Sequence, residues 1–228
     1  MRPAGLRAVV FDFDGTLFDA SEAIVHSFNA ALAAHGRAAL PRAQILPMIG
    51  RPLAEMFQGL EPGAPAERIQ AHVDAYRTAF WPVAVSHTRP LPGLRECLDH
   101  LRGRVSLAIA TNRSEHGARV ILEGFGFAGL FPVIVALEHV QRVKPDPEAV
   151  LTACAQLQVP PAAAAMVGDT PDDMAAGRAA GATAVGLTTG AHRREVLQAA
   201  GAQVVLDSLA ELPDRLLGPA VGRMQERD

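Results

Sequence analysis

Residues Leu6–Leu17 read LRAVVFDFDGTL. An apolar run of strand length ends on two carboxylates, Asp12 and Asp14, and Gly15 then supplies a tight turn. The same pattern recurs downstream. Val105–Ala110 ends at Thr111-Asn112, and Ala164–Val167 ends at Gly168-Asp169. Phe131–Ala136, Ala182–Leu187 and Gln203–Leu206 are three more short apolar runs. Helical patterns separate them, at Gly93–Leu101, Glu115–Gly124, Pro147–Leu157, Asp172–Ala180, Arg193–Ala200 and Ser208–Leu217. Strands alternating with helices predict an α/β fold, a Rossmann-like parallel sheet with helices on both faces.

One stretch breaks the rhythm. From Ala20 to Pro90 the spacing gives helices and no strand: Ser21–His35, Leu53–Leu60 and Ala66–Trp81, with prolines at the joints. This predicts an α-helical domain at 20–90 inserted into a core made of 1–19 and 91–228. The joints near Ala20 and Pro82–Leu91 are the expected hinges.

The chain has 228 residues, 49% hydrophobic and 20% charged, with a formal net charge of −3. That balance excludes a disordered, collagen-like or disulfide-scaffold chain, and nothing in it draws the protein to nucleic acid or an anionic membrane. Met1–Phe11 does not read as a secretory leader, and no apolar stretch is long enough to span a bilayer. The expected compartment is the cytoplasm. The two cysteines, Cys97 and Cys154, lie in apolar helical patterns and offer no metal spacing. The eight histidines are scattered. Gly124-Phe-Gly126-Phe-Ala-Gly129 spells a dinucleotide fingerprint, but it follows a helix and precedes a strand, the reverse of what that loop needs. Lys and Arg total 21, and Lys144 is the one lysine. A lysine kept in an arginine-rich chain suits chemistry that a planar guanidinium performs poorly.

In an open parallel sheet, ligands bind beyond the carboxyl ends of the strands. Here those ends carry Asp12, Asp14, Thr111, Asn112, Asp169 and Asp173, and Lys144 precedes the Pro147 helix. Crowded hard oxygen ligands suit Mg²⁺ together with a substrate phosphate. A carboxylate can also act as nucleophile, a second as acid and base, and an ammonium can neutralise phosphoryl oxygens. The collection points to phosphoryl transfer.

At these residues the sequence resembles the haloacid dehalogenase-like (HAD) superfamily, in particular its phosphoglycolate-phosphatase-like branch with a helical cap. The motifs are Asp12-Phe-Asp14-Gly15-Thr16-Leu17, Thr111 at a strand end, Lys144 before Pro-Asp-Pro, and Gly168-Asp169 with Asp173. The resemblance implies Asp12 as nucleophile and Asp14 as acid and base. It implies Mg²⁺ held by Asp12, the Asp14 carbonyl and Asp169, with Asp173 in support. Thr111 and Lys144 would bind phosphate oxygens, Asn112 and Gly15 would belong to the same phosphate-binding set, and Gly15 would also allow the turn. Arg51, in the insert, is a candidate clamp for a second anionic group, and Arg113 a further substrate contact.

Asp14 speaks against a dehalogenase, and an insert without lysine against an imine-forming phosphonate hydrolase. Mutases of the group place a histidine near the position of Ile24. The expected activity is Mg²⁺-dependent hydrolysis of a small phosphomonoester, phosphoglycolate first, through an aspartyl-phosphate. Inorganic pyrophosphate, nucleotides or sugar phosphates are alternative substrates. A phosphosugar mutase and a non-enzymatic regulatory protein of the same fold are the other classes. The expected partner is a small-molecule phosphate ester, with the chain a monomer or homodimer.

Overall fold

The computed structural model describes residues 5–218. The outer ends of the expected core, 1–4 and 219–228, lie outside the described residues. In chain order the strands are β1 (Ala8–Phe11), β2 (Phe18–Asp19), β3 (Arg89–Pro90), β4 (Ser106–Ala110), β5 (Val133–Val135), β6 (Ala164–Gly168), β7 (Thr183–Leu187) and β8 (Val204–Leu206). The helices are α1 (Ser21–Ala34), α2 (Arg42–Ile45), α3 (Leu53–Leu60), α4 (Ala66–Phe80), α5 (Leu94–Leu101), α6 (Glu115–Gly124), α7 (Glu148–Gln156), α8 (Pro171–Ala179), α9 (Arg194–Ala199) and α10 (Leu212–Leu217).

Six strands form one sheet in the order β5-β4-β1-β6-β7-β8. Every pairing in it is parallel, with Phe11 opposite Ile109 on one side and Val167 on the other. β1 is therefore central and delivers Asp12 to the middle of the carboxyl edge. Each of the six expected runs is one of these strands.

Side chains alternate across the sheet. Val9, Phe11, Leu107, Ile109 and Val167 face the larger core, which continues into α5, α6 and the helices of the insert. Ala8, Val10, Ala108, Ala110 and Met166 face α7 and α8, where Ala149, Ala153 and Ala176 meet them. Small residues on both partners bring those helices close to the sheet. Cys97 and Cys154 are buried and free. Gly124 ends α6, where a Cβ would stand 2.7 Å from the Val85 side chain. The glycine run is thus a helix stop and a packing contact.

α1 to α4 lie between β2 and β3. β2 and β3 pair antiparallel, Phe18 with Pro90 and Asp19 with Arg89, so a two-residue ribbon ties the start of the insert to its end. The sequence expectation of no strand near these joints missed it, since two residues carry no period. α1 and α4 pack along each other, with Phe28 of α1 stacked on Phe57 of α3 at 4.3 Å. No helix among the described residues is long and apolar enough to cross a membrane.

Candidate active site

Four strand ends and one loop converge at the carboxyl edge of the sheet. Asp12 follows β1 and is 3% exposed. Lys144, in the loop before α7, places its Nζ 2.6 Å from Asp12 Oδ1 and 2.7 Å from Asp173 Oδ1. Asp173 is anchored from its other oxygen. Its Oδ2 accepts from the Thr170 amide at 3.0 Å and the Thr170 hydroxyl at 2.7 Å, while the Thr170 hydroxyl accepts from the Asp173 amide. This is a capping box that fixes α8 and a site acid at once. Asp169 Oδ1 accepts from the Thr16 hydroxyl at 2.7 Å.

One oxygen each from Asp12, Asp169 and Asp173 lies within 4.8 Å of the others. All three carboxylates are buried, and the one ammonium pairs with two of them, Asp12 and Asp173. Burial pushes the Asp12 carboxyl up to about 7; the Lys144 ammonium opposes the rise and the charges of Asp173 and Asp14 add to it. Burial raises Asp169 well above the usual carboxylate range, with Asp12 and Asp173 adding to it. Burial works against charge on Lys144, yet Asp12 and Asp173 outweigh it and hold the ammonium charged. Three buried acids share the site with one cation, so their full ionisation calls for more positive charge than Lys144 supplies. Hard oxygen donors in that position fit a divalent cation, which would favour their ionised forms. Asp169 also sits in a glycine cradle: a Cβ on Gly15 or Gly190 would fall 2.4 or 1.8 Å from its Oδ2.

The haloacid dehalogenase-like hydrolase family model matches residues 9–187. The chain belongs to that family. It is 32% identical to the phosphoglycolate phosphatase of Rhodospirillum rubrum, across 95% of this chain and 93% of the relative. It is 31% identical to the pyrophosphatase PpaX of Bacillus velezensis, across 90% and 94%. Among solved structures it is similar to CbbY of Rhodobacter sphaeroides in complex with phosphate, with a TM-score of 0.79 at 27% identity, across 91% and 96%.

In this hydrolase the expected acids fall into two groups. Asp12, Asp169 and Asp173 cluster, whereas the Asp14 side chain is turned to Arg113. The Arg113 Nε and Nη2 donate to the two Asp14 oxygens at 2.8 and 2.7 Å. The guanidinium lies 5.5 Å from the Phe13 ring and 5.1 Å from Phe80. Burial opposes the charge on Arg113, and the Asp14 carboxylate prevails. Arg113, expected as a substrate contact, is paired with Asp14.

Thr111 is buried beside Asp12 and accepts from the Arg113 amide at 3.1 Å. The Asn112 side chain is spent on positioning. Its Oδ1 accepts from the Lys144 amide at 3.1 Å, and its Nδ2 donates to the Gly50 carbonyl at 2.9 Å. It fixes the backbone of the lysine and ties the Gly50 loop of the insert to the core. Arg51 follows that loop and is exposed at the rim of a cavity that Asp12, Asp14 and Thr111 also line. Gly15 has φ of 84°, a left-handed turn that suits glycine.

Sequence reasoning gave no role to Thr16, or to Thr189 and Gly190. Thr16 holds Asp169, the Thr189 hydroxyl donates to the Gly15 carbonyl at 2.6 Å, and Gly190 walls Asp169. Thr188-Thr189-Gly190 follows β7, so the strand-end rule that found the others was sufficient to find them.

Proposed function

We propose that this phosphatase of the haloacid dehalogenase-like hydrolase family cleaves a small phosphomonoester through an aspartyl-phosphate on Asp12. The observation that carries the reading is a buried carboxylate, Asp12, held by Lys144 at 2.6 Å beside two further buried acids at the carboxyl edge of a parallel sheet.

In the first step an Asp12 oxygen attacks phosphorus and the bond from phosphorus to the alcohol oxygen breaks. Asp14 delivers a proton to that oxygen. In the second step Asp14 takes a proton from water, the water oxygen attacks phosphorus, and the bond to Asp12 breaks. Phosphate leaves and both carboxyls are restored. Lys144 and Thr111 receive phosphoryl oxygens. Asp14 must leave Arg113 to carry its proton, and an incoming phosphate dianion offers the guanidinium a second partner.

Asp12, Asp169 and the Asp14 carbonyl would hold Mg²⁺, with Asp173 supporting them. When bound, the ion would supply charge neutralisation for the phosphoryl group and would favour the ionised, nucleophilic form of Asp12. The insert at 20–90 serves as a cap that excludes water over Asp12, and the ribbon at Phe18–Asp19 and Arg89–Pro90 marks its hinge. Ile24 lines the cavity beside Asp14, where the mutases of the resembling group carry a histidine, and this favours hydrolysis over transfer.

The test is phosphate release from p-nitrophenyl phosphate with and without Mg²⁺. Release that stops in excess chelator and returns with Mg²⁺ supports the reading. Undiminished release in chelator contradicts it.

A further inference from the structure

The cavity over Asp12 has a polar floor and an apolar wall. The floor is Asp12, Asp14, Thr111 and Asn112 from the core. The wall comes from the insert. Leu53 and Met56 of α3 face it, with Tyr76 and Phe80 one turn apart on α4 and Trp81 directly after, and Arg51 and Arg77 stand at its edges. Aromatic residues are 5% of the chain, with one Trp and one Tyr, and both of these line this cavity.

The rings form a continuous row. Tyr76 stacks on Phe80 at 5.5 Å and 14°, Phe80 meets Trp81 edge-on at 5.3 Å, and Trp81 meets His116 of α6 at 4.7 Å. The row runs from the insert to the core along one side of the cavity. Trp81 is half-buried, so part of its ring remains for a ligand. Tyr76 is 8% exposed, and its hydroxyl makes no hydrogen bond among the described residues. Burial keeps that phenol protonated, and with the Asp14 and Arg113 charges acting on it, it offers a polar handle where the rings meet the floor.

A two-carbon carboxylate such as that of phosphoglycolate needs only the floor and the arginines beside it, Arg51 and Arg113. It makes no use of Trp81 and Leu53, the partly exposed apolar members of the wall. We infer that the alcohol part of the substrate carries an apolar group of ring size, packed against Trp81 at the open end of the Tyr76–Phe80–Trp81 row, with a polar atom in reach of Tyr76. This rests on the phosphatase reading above and narrows it to aryl-alkyl and similar apolar phosphomonoesters.

The test compares 2-phenylethyl phosphate with ethyl phosphate, whose alcohols leave about equally well. Covering a phenyl ring on this wall should raise kcat/KM by about tenfold or more. Trp81→Ala should collapse most of that ratio. A ratio near one in the wild-type chain, or phosphoglycolate turned over best of the three, overturns the inference while leaving the phosphatase reading intact. Binding decides the matter independently of turnover, because Trp81 is the chain's one tryptophan and its emission reports this cavity. Titration of wild-type protein with 2-phenylethylphosphonate should saturate at about tenfold lower concentration than with ethylphosphonate. Equal affinities overturn the inference. Loss of all hydrolysis with the binding preference retained overturns the phosphatase reading and not this one.

Discussion

Asp12→Asn should make the metal-free protein more stable at pH 8, although it removes the proposed nucleophile. The Asp12 carboxyl rises from an ordinary 3.8 to about 7 because it is buried, with the charges of Asp173 and Asp14 adding to a rise that Lys144 opposes. Between those pH values the folded chain keeps a proton that the unfolded chain has released. The stability this gives is complete below 3.8 and is lost as the pH rises through about 7. At about 1.4 kcal/mol per pH unit the rise corresponds to about 4 kcal/mol. Asn has no charge to bury, and its carbonyl still accepts from Lys144. In a chain of this length, 4 kcal/mol is about 10 °C in melting temperature. The two proteins should therefore differ by about 10 °C at pH 8 in chelator and converge toward pH 4. Other ionisations are shared and largely cancel; Asp169, relieved of a neighbouring charge, adds in the same direction. Mg²⁺ should raise the wild-type melting temperature and narrow the gap, since a ligand stabilises the state that binds it. Thermal melts at four pH values, in chelator and in Mg²⁺, make the check. A variant less stable than wild type at pH 8 in chelator would refute the electrostatic reasoning.

Asp14→Asn should lower kcat on an alkyl phosphate by about a hundredfold or more, and phosphorylation of the enzyme by p-nitrophenyl phosphate far less, because a good leaving group needs no proton; pre-steady-state kinetics with both esters distinguish the cases. Lys144→Arg should lower kcat/KM strongly, since Nζ fits a buried slot between Asp12 and Asp173 at 2.6 and 2.7 Å that a planar fork overfills. Wild-type efficiency in that variant would make the single lysine a coincidence. Gly190→Ala sets a Cβ 1.8 Å from Asp169 Oδ2 and should raise the Mg²⁺ concentration for half-activation by about tenfold or more. An unchanged Mg²⁺ titration would remove Asp169 from the metal site.

The sheet was legible because strands buried on both faces write themselves as unbroken apolar runs, and Val105–Ala110 and Ala164–Val167 need no tertiary knowledge to read. The acids were legible because each stands immediately after such a run. What escaped depended on distance in the chain or on absence of a side chain. The Arg113–Asp14 pair joins residues 99 apart, and nothing local announces it. Asn112 reads as a binding residue until its amide is seen holding the Lys144 backbone and Gly50. Gly190 matters through what it lacks. The ribbon of Phe18–Asp19 with Arg89–Pro90 contains a proline and two charged residues and is shorter than any periodic signal. Tyr76 and Phe80 fall four residues apart in the Ala66–Trp81 helix, but such spacing serves ordinary packing, and only the fold shows that they line the same cavity as Asp12.

The central claim is that Asp12 carries the phosphoryl group. Acid quench of the enzyme during turnover of p-nitrophenyl phosphate, followed by peptide mass spectrometry, tests it directly. The account predicts one phosphoryl increment on the peptide containing Asp12, lost in base and missing from Asp12→Asn. Steady turnover by Asp12→Asn at the wild-type rate, or a phosphoryl group trapped on another residue with Asp12 unmodified, would contradict it.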